Sequence, residues 1–187
     1  MKLLVTGCGR SGTQYASAVF KAVGLDVGHE SVGKNGTVDW HRVNDGEAFD
    51  VIFHQVRNPL HTIGSLTRGI RTASWRFICK TEPRVRYDAP IVQRAMQYWC
   101  YWNERAEALA SETYRVESMI DWLAGRLALV GVDAGKVDMA AARLVPTNMH
   151  TRKGKESKTL EFKDLEEADA ELAPSVRLMA ERYGYSV

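Results

Sequence analysis

The stretch that decides the fold is Leu3–Gly24, which reads LLVTGCGRSGTQYASAVFKAVG. Its first four residues, Leu3–Thr6, are apolar or small and predict a short buried strand. From Thr13 onward, apolar side chains recur at the spacing of one helical face, and Gly24 is a typical stop signal, so a helix is predicted over 13–23. A glycine-rich turn lies between them. A strand that passes through such a turn into a helix is typical of a phosphate-binding α/β unit.

Strands and helices keep alternating along the rest of the chain. An apolar segment over 50–59 predicts another strand, and Pro59 suits the start of a helix over 60–69 because proline lacks an N–H that would be unpaired there. The other predicted segments are a short strand and a glycine-punctuated loop over 25–40, a loop with room for one short helix over 71–88, a long helix over 90–110, a short strand and then a helix over 119–130, a structureless polar segment over 148–158, and a final helix over 165–183 interrupted near Pro174. This alternation predicts one domain over 1–187 with a three-layer α/β/α fold and a mainly parallel sheet, like that of the P-loop NTPases.

The composition excludes several classes of protein. The net charge is +2, which argues against a protein that coats nucleic acid, so any basic site must be local. The three cysteines are an odd number without the spacing of metal ligands, which suits a reducing compartment. No apolar run approaches the length of about 20 residues that spans a bilayer. We therefore expect a cytoplasmic protein without a membrane or nucleic-acid partner, and its oligomeric state is left open.

The glycine-rich turn carries donors that a purely structural turn does not need. Glycines at 7, 9 and 12 allow close backbone approach to a ligand, and Arg10, Ser11 and Thr13 add a guanidinium and two hydroxyls. Backbone N–H groups of such a turn, with the positive end of the next helix, form an anion site. A nucleotide-hydrolysing P-loop has a lysine after its last glycine, and Thr13 stands there instead, so an ATPase or kinase fits poorly.

A second motif follows the strand over 50–59, where Arg57, Asn58 and Pro59 are followed by Ser65 in the predicted helix. With Gly9-Arg10-Ser11-Gly12-Thr13, this pair resembles the sulfotransferase family. That family has a G-x-[RK]-S-G-T loop for the 5′-phosphosulfate of 3′-phosphoadenosine 5′-phosphosulfate and an R-[ND]-P-x5-S element for its 3′-phosphate. The resemblance implies cofactor contacts from Gly9–Thr13, Arg57 and Ser65, with no metal required.

Weaker parts of the resemblance supply further candidates. The basic stretch around Arg152, Lys153 and Gly154 looks like the segment that closes over the 3′-phosphate in cytosolic members, although a solvated basic loop explains it equally well. By the same resemblance, Arg10 would stabilise the leaving oxygen, and Glu30 would be the base that accepts the proton of a hydroxyl or amine acceptor. His29 is the next candidate base, since histidine titrates near neutral pH.

Other aromatic and histidine side chains are assigned to packing or to the acceptor. The cluster Tyr98–Trp102 has core spacing in the long helix and is expected to be buried. Trp40 and Trp75 fall in predicted loops and are candidates for contacting a small-molecule or carbohydrate acceptor. His54 alternates within a strand and is expected to be packed.

Two other interpretations stay open. One is a P-loop-like nucleotide or nucleoside kinase with a degenerate loop, which magnesium-dependent ATP binding would favour. The other is a non-catalytic relative that kept the nucleotide pocket and lost transfer activity. The acceptor itself is not identified by any pattern in the sequence.

Overall fold

Five parallel strands form the central sheet of the computed structural model, which describes residues 1–147 and 159–187. Their order across the sheet is β2–β3–β1–β4–β5, so β1 has β3 on one side and β4 on the other. In the register of these pairs, Leu3 lies beside both Gly36 and Val51. The strands are β1 Leu3–Thr6, β2 Val27–His29, β3 Gly36–Val38, β4 Val51–Val56 and β5 Glu112–Arg115.

Helices cover both faces of this sheet. On one face, α1, α5 and α6 pack on an apolar cluster that includes Val5 and Phe20. On the other face, α2, α3, α4, α7 and α8 share a second cluster that includes Val56 and Trp99. The described helices are α1 Thr13–Ala22, α2 Pro59–Gly69, α3 Thr72–Thr81, α4 Ile91–Leu109, α5 Met119–Ala124, α6 Met139–Arg143, α7 Phe162–Ala168 and α8 Ala173–Arg182. The predicted three-layer α/β/α fold with a parallel sheet is confirmed.

The largest difference from the sequence prediction is β3, which lies inside the segment expected to be a loop. Gly36 begins this strand, and a β-carbon there would be 1.9 Å from the carbonyl oxygen of Leu3. Its φ of 125° also lies in the range that side chains rarely adopt. The glycine that suggested a loop is therefore required by the close approach of β1 and β3.

Several helix boundaries also differ. The segment over 71–88 contains α3, α5 ends at Ala124, and α6 was not predicted. The final helix is divided into α7 and α8, and Pro174 lies in the first turn of α8, where its missing N–H costs nothing. None of the helices in the described ranges combines the length and the apolar composition that crossing a bilayer requires.

Candidate functional site

The turn between β1 and α1 lies at the carboxyl edge of the sheet and ends at Gly12. Gly12 is the N-cap of α1, with a φ of 92°, and no side chain in the described part of the chain caps this helix. A β-carbon here would lie 2.9 Å from the side chain of Val116, so both the conformation and the space require glycine. The N–H groups at the start of α1 therefore meet this edge with the positive end of the helix dipole behind them.

Two side chains of α4 hold the first half of the same turn. The N–H of Cys8 donates to Oδ1 of Asn103 at 3.0 Å, and the N–H of Gly9 donates to the hydroxyl of Tyr98 at 2.9 Å. These two N–H groups thus point into the protein. The N–H of Ser11 also bonds within the turn, to the carbonyl oxygen of Cys8 at 3.3 Å. The N–H groups that suit an anion are therefore those at the start of α1.

A buried polar network extends from Asn103 to the histidine of β4. Oδ1 of Asn103 lies 3.2 Å from Nε2 of His54, and Nδ1 of His54 lies 3.1 Å from the hydroxyl of Thr113. Since Oδ1 only accepts, Nε2 of His54 carries the hydrogen and Nδ1 accepts from Thr113. Burial lowers the pKa of His54 to about 4, so the ring is neutral near pH 7. The prediction that His54 is packed is confirmed.

The two predicted cofactor motifs are in direct contact. Nε of Arg10 donates to Oγ of Ser65 at 3.0 Å, and Nη1 of Arg57 donates to the carbonyl oxygen of Arg10 at 3.3 Å. Arg10 has a left-handed φ of 71°, an uncommon conformation for a residue with a side chain. Its guanidinium also lies against Gly69 of α2, where a β-carbon would be 3.1 Å from Nη2. The second motif therefore holds Arg10 by both its main chain and its side chain.

The two predicted hydroxyl ligands of the turn are largely enclosed. Ser11 is 1% exposed, and its carbonyl oxygen accepts a hydrogen bond from Nε2 of Gln55 at 2.8 Å. Oε1 of that glutamine accepts from the hydroxyl of Tyr114 at 2.7 Å, which fixes the orientation of the amide. Thr13 is also buried, and its hydroxyl lies 3.1 Å from Nε2 of His29.

Both candidate bases lie beside the turn, on the side of β2 and β3. His29 is the last residue of β2 and reaches the first residue of α1 through its contact with Thr13. Glu30 follows with a left-handed φ of 53°, and its Oε1 accepts a hydrogen bond from Nε1 of Trp40 at 2.9 Å. The ring of Trp40 packs on the turn, because a β-carbon on Gly9 would be 3.5 Å from it.

The two tryptophans expected in loops are both buried. Trp40 is 8% exposed and Trp75 is 5% exposed, and Trp75 lies within α3. Both contact the ring of Tyr98 edge-on. The prediction of loop positions is wrong for Trp75, because the apolar face of α3 brings it into the core. The predicted burial of the Tyr98–Trp102 cluster is confirmed except at Tyr101, which is half-buried.

A cleft of about 470 Å³ opens at the carboxyl edge between β4 and β5. Within the described part of the chain, the residues that line it include Arg57, Arg115 and the acidic residue Glu117. Neither sequence motif includes Arg115, although its place at the end of a predicted strand was a usable signal. The remaining residues around the cleft are Asn58, His61, Ser118 and Tyr185.

Three predicted cofactor contacts, Arg152, Lys153 and Gly154, lie outside the described residues. Within 1–147 and 159–187, no group of three or more His, Cys, Asp or Glu side chains is arranged to hold a metal ion. Neither a protein-family model nor a curated protein matches this chain.

Proposed function

We propose that this protein is a sulfotransferase that moves a sulfuryl group from 3′-phosphoadenosine 5′-phosphosulfate to a hydroxyl or amine acceptor. The observation that carries the proposal is the contact between the two motifs, in which Arg10 bonds to Ser65 and Arg57 bonds to the backbone of Arg10. Motifs that are distant in sequence here form one basic surface at the carboxyl edge, where ligands of parallel α/β sheets bind. An adenine nucleotide with phosphates at both the 5′ and 3′ positions fits such a paired anion site.

The first part of the mechanism is stabilisation of the leaving group. In sulfuryl transfer, the bond between sulfur and the 5′-phosphate oxygen breaks while the acceptor oxygen or nitrogen forms a bond to sulfur. Negative charge then develops on the phosphate oxygen. The guanidinium of Arg10 and the N–H groups at the start of α1 are the donors that would stabilise it. Arginine stays protonated at all relevant pH values, so Arg10 would supply charge and would not transfer a proton.

The second part is removal of the acceptor's proton. Glu30 is the first candidate, because Trp40 bonds to only one of its two carboxylate oxygens and the side chain is exposed. His29 is the alternative, although its Nε2 already contacts the hydroxyl of Thr13. The proton of the acceptor would pass to one of these two side chains as the new bond to sulfur forms.

The role of Ser65 follows from hydroxyl chemistry. Its oxygen accepts the hydrogen bond from Arg10, and its own O–H remains a donor that suits a phosphate oxygen. Arg57 would supply the charge at the same phosphate, with a fork of N–H donors that matches tetrahedral oxyanions. The location stays a prediction from the cysteine count, which favours a reducing compartment such as the cytoplasm.

Calorimetric titration with adenosine 3′,5′-bisphosphate, the expected product, tests the proposal. We expect this ligand to bind the parent protein and Arg57→Ala to weaken it by about 2–5 kcal/mol, since one partner of a desolvated charge pair is removed. Arg126→Ala is the matched control. Arg126 bonds to Glu112, the first residue of β5, and so lies at the opposite edge of the sheet.

Two outcomes would contradict the proposal. If the parent protein does not bind the bisphosphate, the proposed function is wrong. Tight binding of ATP with magnesium and weak binding of the bisphosphate would favour the kinase interpretation. Equal losses in Arg57→Ala and Arg126→Ala would contradict the assignment of Arg57.

A further inference from the structure

We propose that Arg115 is a second arginine of the 3′-phosphate site, which binds the phosphate together with Arg57 in the cleft between β4 and β5. Neither motif contains this residue, and the inference rests on the proposed function. The ligand class is a phosphomonoester on a ribose. The proposal depends on the place of Arg115 in the sheet, on the charges of the cleft, and on the contacts that orient its side chain.

The sheet brings the two arginines to the same edge. β4 and β5 are neighbours, and in their register Val56 lies beside Arg115. Arg57 is the next residue after Val56, so both arginines stand where the two strands end. Both also border the cleft of about 470 Å³. We therefore expect a single tetrahedral anion bound in this cleft to contact both guanidiniums.

The charges of the cleft are not balanced within the described part of the chain. No carboxylate of residues 1–147 or 159–187 lies within 4.0 Å of a guanidinium nitrogen of Arg57 or Arg115, whereas ten other arginine–carboxylate pairs in this part of the chain meet that criterion. Glu117 borders the same cleft, yet its carboxylate bonds to neutral donors. Its Oε2 accepts from the hydroxyl of Tyr185 at 2.7 Å, and its Oε1 accepts from the N–H of Asn58 at 3.2 Å. The positive charge of the cleft is thus left to an anionic ligand.

The side chain of Arg115 is oriented before any ligand binds. Its Nη1 donates to the carbonyl oxygen of Gly184 at 2.7 Å, and its guanidinium carbon lies 5.6 Å from the centre of the Tyr185 ring. A guanidinium has further N–H donors beyond the one used here. Because these contacts already restrict its rotamers, less side-chain entropy is lost when the remaining donors bind a phosphate.

The hydrogen bonds of Glu117 give Tyr185 and Glu117 a positioning role at this cleft. The hydroxyl of Tyr185 holds Glu117, and Glu117 in turn holds the N–H of Asn58, the residue next to Arg57. If that hydroxyl is removed, the carboxylate is released beside two arginines and competes with the phosphate for them. Tyr185 therefore acts on the site through Glu117.

The test compares adenosine 3′,5′-bisphosphate with adenosine 5′-monophosphate by calorimetric titration. Arg115→Gln removes the charge from an exposed side chain, so the fold should be preserved. We expect this variant to bind the bisphosphate about 10- to 100-fold more weakly than the parent, as expected for loss of a hydrogen bond between charged groups. Binding of the monophosphate should be unchanged, and Arg126→Gln should behave as the parent with both ligands.

The outcomes separate this inference from the proposed function. If the parent binds the bisphosphate and Arg115→Gln binds it equally well, the role of Arg115 is overturned while the proposed function stands. An equal loss for both nucleotides would also overturn it, because Arg115 would not be specific for the 3′-phosphate. A parent protein that binds no bisphosphate overturns both.

A second pair of variants tests the positioning role. Tyr185→Phe should weaken bisphosphate binding several-fold, and Glu117→Gln in the same chain should restore it, because the released side chain then has no charge with which to compete. A purely structural role of Tyr185 predicts no such rescue. Absence of the rescue would overturn the role of Tyr185. The role of Arg115 is decided separately, by the titration of Arg115→Gln.

Discussion

Tyr98 is a single residue that serves both the core and the anion turn. Its ring is fully buried between Trp40, Trp75 and Trp102, and its hydroxyl accepts the N–H of Gly9. Burial raises the pKa of Tyr98 well above its usual value, so the hydroxyl stays protonated at physiological pH. The N–H of Gly9 thus depends on one oxygen atom of a core side chain, as the N–H of Cys8 depends on Oδ1 of Asn103.

We expect Tyr98→Phe to lower the free energy of unfolding by about 1–3 kcal/mol, because the buried N–H of Gly9 loses its acceptor. Urea denaturation measures this change. Tyr101→Phe is the matched control on the same helix, where the ring is half-buried and lies against Arg84. Equal losses in the two variants would show that the hydroxyl of Tyr98 has no special role in the turn.

His54 makes stability depend on pH. Its pKa in the folded protein is about 4, lowered by burial from the ordinary value of 6.5, so the unfolded chain binds a proton that the folded protein does not. The neutral ring therefore contributes its full share of the free energy of unfolding above about pH 6.5. This share, about 3 kcal/mol, is lost as the pH falls toward about 4.

Denaturant titrations between pH 7 and pH 4 measure this loss, and His54→Gln supplies the reference. Glutamine does not titrate and can donate to Asn103 and accept from Thr113. The difference between parent and variant should therefore change by about 3 kcal/mol over this range. Parallel pH profiles of the two proteins would contradict a buried neutral His54.

At the scale of elements, α2 both follows the second motif and supports the first. Asn58 caps α2, since its Oδ1 accepts the N–H groups of Leu60 and His61. About two turns further on, Ser65 accepts the bond from Arg10, and Gly69 leaves room for the guanidinium. The contact between the two motifs therefore joins one turn to a helix and to Arg57, which lies just before that helix.

Gly69→Ala should weaken nucleotide binding without loss of stability. The new methyl group would meet the flexible end of Arg10 and displace it from Ser65, whereas alanine in a helix is favoured over glycine by about 0.5–1 kcal/mol. We expect a several-fold weaker affinity for adenosine 3′,5′-bisphosphate and an equal or higher free energy of unfolding. Gly125→Ala, where a β-carbon has only ordinary contact at 3.6 Å, is the control. Unchanged affinity in Gly69→Ala would contradict the role of Arg10.

At the scale of the whole molecule, the strand order brings the site together. β1 and β4 are neighbours in the sheet, so the turns that follow them meet at one edge although β2 and β3 lie between them in the sequence. β5 adds Arg115 to the same edge, and α8 returns the chain so that Tyr185 reaches Glu117. The candidate site is therefore built from segments at both ends of the chain.

A ligand that binds this assembled site should stabilise the whole fold. At a concentration of adenosine 3′,5′-bisphosphate 100 times its Kd, we expect a rise in Tm of about 5–10 °C, which corresponds to about 2.7 kcal/mol for a protein of this size. The rise should be the same with a chelator present, since the proposed site uses no metal. A rise that requires magnesium, or that ATP produces more strongly than the bisphosphate, would contradict the proposed ligand.

Local patterns along the chain were sufficient for the long and regular elements. The periodicity over 13–23 predicted α1 to within one residue, and the apolar run before Pro59 predicted β4 and α2. The same patterns missed β3, because a strand of three residues beginning at Gly36 is too short for periodicity to detect. They gave the segment over 71–88 only as a loop with room for one short helix, because it has no clear periodicity, and α3 occupies ten residues of it.

The sequence by itself determined the parallel α/β layers and the two motifs that place Arg10 and Arg57 at strand ends, because strand spacing, helical periodicity and turn glycines are local properties. Only the tertiary structure decided that Arg10 bonds to Ser65, that Tyr98 holds Gly9, and that Arg115 shares a cleft with Arg57. Those contacts join residues far apart in the chain. They depend on which strands become neighbours in the sheet. The packing of the two apolar layers against the sheet selects this strand order.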